Sequence, residues 1–164
     1  MLLVITSVAF PSIRDLSKAN HHQRDVLYRA CQHGKEITFK GQDMCFIMAA
    51  IAWRETKAGI KLVGDNGGSI GVFQNQIKTV QKRLSQRGVK RSWAQIKKEL
   101  FHIDNSAYWA KEELKYWLGR RNNIEIAIRS YNAGNNHSKG RRYANDVLEK
   151  AKWLEKNKYP MGLY

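Results

Sequence analysis

Acidic residues are scarce in this chain. Fourteen Asp and Glu stand against 29 Lys and Arg, which leaves a formal charge of +15 on 164 residues. Such a chain is drawn to polyanions: nucleic acid, an anionic membrane or an acidic cell-wall polymer. Charge alone does not choose among them, and it equally suits a solvated surface that keeps the protein soluble. The basic residues are scattered, with short pairs at Lys97-Lys98, Arg120-Arg121 and Arg141-Arg142. No basic helix stands out as a nucleic-acid reading element, and no reading motif is present.

Long apolar runs are lacking too. Met1 to Phe10 is apolar but too short to span a bilayer, and no other stretch approaches that length. It has no positive n-region, although Ser7-Val8-Ala9 resembles a cleavage site. A truncated signal and a segment packed on the fold stay open, the second being favoured. Low-complexity segments and clear repeats are missing, and there are only two prolines, so no linker or disordered arm is expected. The length suits one domain with a real core.

Cysteine is nearly absent. Cys31 and Cys45 have neither CxxC spacing nor a paired-ligand pattern. A disulfide in an oxidising compartment is open; two reduced, buried thiols are the favoured expectation. His21, His22 and His33 lack a suitably spaced carboxylate or Cys to complete a metal site, so exposed histidines and no metal are expected. Strand signals are nearly missing, which points to a mainly α fold.

What is present is a set of helical patterns. Ile13 to His33 reads as one helix ended by Gly34 as a C-cap. Gln42 to Thr56 is apolar almost all round, as a buried central helix is, with Asp43 near its N-terminus and Glu55 at its end. Gly59 to Gly71 holds five glycines and reads as loop. Gln76 to Gln86 is helical and closed by Gly88. Ser92 to Gln95 is a capping box opening a helix to Phe101. Asp104 or Asn105 caps a helix running to Leu118 and ended by Gly119. Asn123 to Tyr131 is a further helix, followed by a turn over Asn132 to Asn136. Arg142 to Lys156 is the last, with Tyr143, Val147, Leu148, Ala151 and Leu154 inward.

Glu55 carries the chemistry. A carboxylate at the end of a buried helix is costly without a task or a partner. Desolvation there raises its pKa towards a range useful for proton donation at neutral pH, which glycosidic cleavage requires. Taken alone, Glu55 is better read as a surface ion pair with Arg54 or Lys57.

Its company changes that reading. Glu55, then Gly68-Ser69-Ile70-Gly71-Val72-Phe73-Gln74, then Tyr131-Asn132-Ala133-Gly134, resembles the soluble lytic transglycosylase family, whose broader lysozyme-like fold goose-type lysozymes share. The resemblance covers about residues 42 to 150, with Tyr143 to Leu148 similar to the family's closing helix. It implies a lysozyme-like single domain that cleaves the β-1,4 bond between N-acetylmuramic acid and N-acetylglucosamine in peptidoglycan. Glu55 would protonate the glycosidic oxygen. It would then take the proton of the C6 hydroxyl as that hydroxyl closes a 1,6-anhydro product, the substrate's N-acetyl group assisting.

The resemblance assigns substrate contacts to Gln74 and Asn132, whose amides suit acetamido and hydroxyl groups, and to Tyr131. It assigns Gly71 to close approach of backbone to sugar, and adds Ser69 and Thr56 to the substrate-contacting set; Asp65, from its place in the glycine-rich loop, joins that set as a residue able to hold a water. Phe73 and Trp53 are read as packing. Thr56 stands where the family usually has Ser, and Gln76 where goose-type enzymes often carry an Asp. A goose-type-like muramidase using Asp65 as second carboxylate is the alternative; Asp65 beside Asn66 also suits a simple turn. A basic nucleic-acid-binding helical module and a catalytically dead glycan binder are the rivals. No cofactor and no nucleic acid are expected. The expected partners are glycan strands and the anionic wall surface, the expected state a monomer, and the expected place the bacterial envelope or periplasm. A phage lysis or virion enzyme and a secretion-system enzyme both fit.

Overall fold

The computed structural model describes residues 12–164; the expectation for Met1 to Phe10 lies outside them. The fold is mainly α, with two small antiparallel sheets. No helix among the described residues is long and apolar enough to cross a membrane.

The expected first helix is two. Helix α1 (Ile13–Leu16) is opened by a capping box between Ser12 and Asp15. The chain then breaks, because Asn20 caps a second start: its side chain accepts the Gln23 N–H, and the Gln23 side chain returns to the Asn20 N–H. Helix α2 (His21–Lys35) runs on through Gly34 rather than ending there. Gly34 serves a close approach instead. A Cβ at that position would lie 2.4 Å from the Met44 carbonyl oxygen, and the Met44 N–H donates to the Gly34 carbonyl.

A hairpin of β1 (Thr38–Phe39) and β2 (Gln42–Asp43) turns through Lys40 and Gly41, both at positive φ. It claims the first residues assigned above to the central helix. Helix α3 (Cys45–Thr56) therefore starts at Cys45, whose N–H is taken by the Asp43 carboxylate at 3.0 Å, as an acid at a helix start should. Nearly every α3 residue is buried. The helix stops at Lys57 and Ala58, both left-handed, with the Ala58 N–H closing back onto the Ala52 carbonyl.

The glycine-rich stretch is a sheet as well as a loop. Strands β3 (Val63–Gly64), β4 (Ser69–Ile70) and β5 (Asn75–Gln76) lie in that order, with a 3₁₀ turn at Asp65–Gly67 between the first two. Helices α4 (Ile77–Gln86) and α5 (Trp93–Leu100) follow, the latter with the expected capping box. Helix α6 (Ile103–Arg121) begins before Asp104 and passes through Gly119. It ends at Asn122, in the left-handed conformation, rather than at the glycine. Helix α7 (Ile124–Ala133) is capped by Asn123, α8 (Arg141–Lys156) lies as expected, and α9 (Lys158–Met161) is a short final turn.

Two apolar clusters result. The larger has α3 at its centre, flanked by α2 and α8. The smaller joins Ile70, Ile77, Val80, Ile96, Leu100 and Trp109 beneath β4, α4, α5 and α6.

The favoured reading of the cysteines is overturned. Cys31 and Cys45 form a disulfide joining α2 to the first residue of α3. Gly34, one turn beyond Cys31, lets the two backbones come close enough for this. The bridge closes a short loop of separation 14, for which the chain-entropy model gives about 3 kcal/mol. Urea midpoints with and without reductant should differ accordingly, and the Cys31→Ala/Cys45→Ala protein should match the reduced wild type. Equal midpoints would show that α2 and α3 hold together without the bridge.

Candidate active site

A cleft of about 590 Å³ opens between the two clusters. Phe73, Trp117 and Tyr131 line it from the larger one and Val80 and Trp109 from the smaller. Glu55 reaches it from the last turn of α3. The residue is half-buried, and the protein around its carboxyl strips it of water. Burial pushes its pKa up from the ordinary 4.5 to about 6. The Tyr143 hydroxyl donates to Glu55 Oε1 at 2.6 Å and pulls the other way, as does the Arg54 charge; the Asp65 charge adds to the rise. Tyr131 and Tyr143 themselves are held protonated, pushed well above the usual range by burial and by Glu55.

The structure brings Glu55, Asp65, Ser69, Gln74, Tyr131 and Asn132 together around this cleft. Tyr131 and Asn132 stand in the last turn of α7, so the expected turn over Asn132 and Ala133 is helix, and it is Gly134 at φ 61° that ends it. Ser69 Oγ donates to Asp65 Oδ2 at 2.5 Å, which ties the 3₁₀ turn to β4. Gln74 has a positive φ and gives its side-chain N–H to the Gly71 carbonyl at 3.0 Å, so part of its amide holds the loop's own shape. Gln76 is exposed on the cleft wall.

Two assigned residues do not line the cleft. Gly71 is buried, with φ at +84°, and a Cβ there would meet the Leu100 carbonyl at 2.2 Å and Ser106 Oγ at 2.7 Å. Its close approach is to the α5–α6 junction and not to a sugar. Thr56 is buried as well. Its hydroxyl donates to the Val72 carbonyl at 2.8 Å and accepts the Gly59 N–H at 2.9 Å, which fastens the end of α3 to the loop.

The sequence assigns no site role to three residues that the structure places there. Tyr143 lies on the inward stripe of α8, where any large side chain fits; nothing ties it to a Glu 88 positions earlier. Ser106 is fully buried in α6. It donates to Asn75 Oδ1 at 2.6 Å and accepts the Phe73 N–H at 3.2 Å, and so pins the loop from behind. Glu113 lines the cleft but is paired with Arg83 and accepts the Trp117 indole N–H at 2.7 Å. Among the described residues no group of His, Cys, Asp or Glu is assembled to hold a metal ion.

No family model matches the sequence. An uncharacterized 20.7 kDa protein of Enterobacteria phage T4, from the vs-regB intergenic region, is 36% identical over 169 residues, spanning 96% of this chain and 92% of the relative.

The raised Glu55 pKa makes stability depend on pH. The folded protein holds this proton up to about pH 6 and the unfolded chain only to 4.5. The resulting stability is fully present below 4.5 and is lost as pH rises through 6, leaving the ionised carboxylate to cost about 2 kcal/mol at pH 8. Glu55→Gln removes the ionisation and keeps the shape. Its melting temperature should exceed that of the wild type at pH 8 and match it near pH 4. A deficit of equal size at both pH values would mean that Glu55 is not strained by desolvation.

Proposed function

With the chain belonging to the family of the 20.7 kDa phage T4 protein, we propose that it is a peptidoglycan lytic transglycosylase of lysozyme-like fold, in which Glu55 is the general acid and base. One observation carries the reading. A single desolvated carboxyl with a pKa of about 6 stands at the end of the buried helix, held by a tyrosine hydroxyl, and opens into a cleft lined with amide and hydroxyl side chains. Those lining groups suit the acetamido and hydroxyl groups of amino sugars.

In the proposed reaction Glu55 enters protonated. It gives its proton to the bridging oxygen as the C1–O bond breaks, and the substrate's acetamido oxygen stabilises the cationic centre at C1. The carboxylate left behind takes the C6 hydroxyl proton while that oxygen bonds to C1, which returns Glu55 to its starting state. A pKa near 6 suits both halves of this cycle, since neither form is far from the working pH. Tyr143, donating to Oε1, stabilises the carboxylate between the two halves, and Asn132 and Gln74 orient the sugar.

The setting supports the same reading. The Cys31–Cys45 disulfide suits an oxidising compartment such as the periplasm. The phage relative fits a phage-encoded enzyme, and the positive surface suits an anionic wall. A nucleic-acid role rests on charge alone and leaves the cleft without a purpose. The muramidase alternative has one specific observation behind it: Asp65 lines the same cleft, close enough for its charge to act on Glu55.

Purified sacculi test both the acid and the product. Glu55→Gln should lose about 10²- to 10⁴-fold in clearing rate while keeping the wild-type circular dichroism. Product masses should show 1,6-anhydro-muramyl ends, because the tethered C6 hydroxyl outcompetes water. Reducing ends that disappear in Asp65→Asn, with sacculus binding retained, would make the enzyme a two-carboxylate hydrolase. Normal clearing by folded Glu55→Gln would remove Glu55 from the chemistry altogether.

A further inference from the structure

Helix α8 turns a polar stripe towards the end of α3. Tyr143, Asp146 and Lys150 follow one another at spacings of three and four, the repeat that places side chains on one face. All are poorly exposed: the Lys150 side chain to 3%, that of Asp146 to 16%, and that of Arg54, which meets them from α3, to 15%. The Asp146 carboxylate is held between two cations. Arg54 Nε lies 3.0 Å from Oδ2, and Lys150 Nζ is paired with Oδ1. The Arg54 guanidinium also lies over the Tyr143 ring, 5.1 Å from its centroid, and the hydroxyl of that ring is the donor to Glu55.

We propose that Arg54 and Asp146 are positioning residues: Asp146 fixes the Arg54 guanidinium, which clamps the Tyr143 ring so that its hydroxyl stays on Glu55. Stability alone is a poor reason for this cluster. Withdrawing three charges from water is costly, and apolar side chains of similar shape do as well or better. What apolar residues cannot do is stack a fixed cation on an aromatic face while placing its charge one residue from the reacting carboxyl. The cost is visible on Arg54 itself, whose pKa is pulled down by burial and held up by Asp146, Tyr143 and Glu55, with Arg142 opposing.

The charged and titratable groups around Glu55 come from four elements. Arg54 on α3 and Tyr143 on α8 favour its ionised form, and Asp65 on the 3₁₀ turn disfavours it. Tyr131 on α7, a neutral neighbour, is itself raised by the Glu55 and Glu113 charges. Losing either Arg54 or Tyr143 therefore moves Glu55 in the same direction, towards holding its proton at higher pH.

The role rests on Glu55 being the acid of the proposed reaction, yet the ionisation of Glu55 can be read without any substrate. Infrared difference spectra against Glu55→Gln isolate its protonated carboxyl band. Tyr143→Phe and Arg54→Gln should each shift the titration of that band to higher pH. The double variant should shift it by less than the sum, since both changes act on one contact. The alkaline limb of sacculus clearing should move the same way, with kcat lowered on the order of tenfold by misplacement of the acid and KM little changed. If Arg54→Gln does not fold, Arg54→Lys decides. It keeps a cation beside Asp146 but has no plane to lay on the ring, so kcat should fall and the titration should move to higher pH, as in Tyr143→Phe. A folded Arg54→Gln with unchanged titration and unchanged limb, or an Arg54→Lys with wild-type kcat, overturns the proposal. Should the band shift as expected while no protein, wild type included, clears sacculi, the clamp stands and the transglycosylase reading falls.

Discussion

A carboxyl group at the C-terminal end of a buried helix is denied water, and that loss disfavours its ionised form. For Glu55 the Asp65 charge adds to the effect of burial, and the carboxyl holds its proton to about pH 6. The rest of the structure can be understood as keeping that group desolvated without letting it become useless. Full burial in apolar surroundings would lock the proton on. The Tyr143 hydroxyl and the Arg54 charge set the balance back towards ionisation, and both depend on α8 lying where it does against α3. The placing of α3 in turn depends on its other neighbour. The close contact at Gly34, the Cys31–Cys45 bridge and the Asp43 cap fix the start of the helix, and hence where its eleventh residue, Glu55, falls.

The far end of α3 is fixed by a chain of small polar contacts. Thr56 holds the Val72 carbonyl, the next residue's N–H reaches Ser106, and Ser106 reaches Asn75. A continuous path thus runs from the turn carrying Glu55, through the glycine-rich segment, into α6. The same segment holds positive φ at Asp65, Asn66 and Gln74, where L-residues are uncomfortable, with Ser69 donating to Asp65 and the Gln74 side chain to the Gly71 carbonyl. The surroundings over-determine the conformation, as is common where side chains must converge on a site. The cleft lies at the seam of two apolar clusters, so one wall belongs to the helix that carries the acid and the other to the smaller unit of β4, α4 and α5.

Much of this was legible, and the misses share a cause. The apolar run to Glu55 marks a buried helix on composition alone, and the capping box at Ser92 to Gln95 marks a helix start by local chemistry. These signals are contained within the segment they describe. The signals that misled are glycines. Gly34 and Gly119 read as helix ends because glycine commonly sits there, yet both are helical, the first because another backbone passes over it. Gly71 reads as a point of approach to sugar for the same kind of reason, while a Cβ there meets the Leu100 carbonyl. An absent side chain shows that something comes close without saying what. The disulfide and the Tyr143–Glu55 contact were illegible for the matching reason: each joins residues whose proximity only tertiary packing creates.

Asp65 shows how far electrostatics alone can carry the mechanism. As a base it would need to hold a water on the far face of the sugar. It has a simpler effect that holds in either mechanism, because its charge already acts on Glu55 and makes the proton there harder to lose. Ser69 donates to Asp65 Oδ2 and so holds that side chain in place on the 3₁₀ turn. An acid flanked by a fixed anion on one side and by a fixed cation and a hydroxyl donor on the other has its pKa set by opposing neighbours, each on a different element. Small movements of the 3₁₀ turn or of α8 then shift Glu55 in opposite directions. In the proposed reaction a sugar entering the cleft would displace water and strengthen all three interactions together. The occupied cleft would then tune Glu55 more sharply than the empty one, and the two proposed mechanisms would differ only in which nucleophile bonds to C1 once the proton has gone.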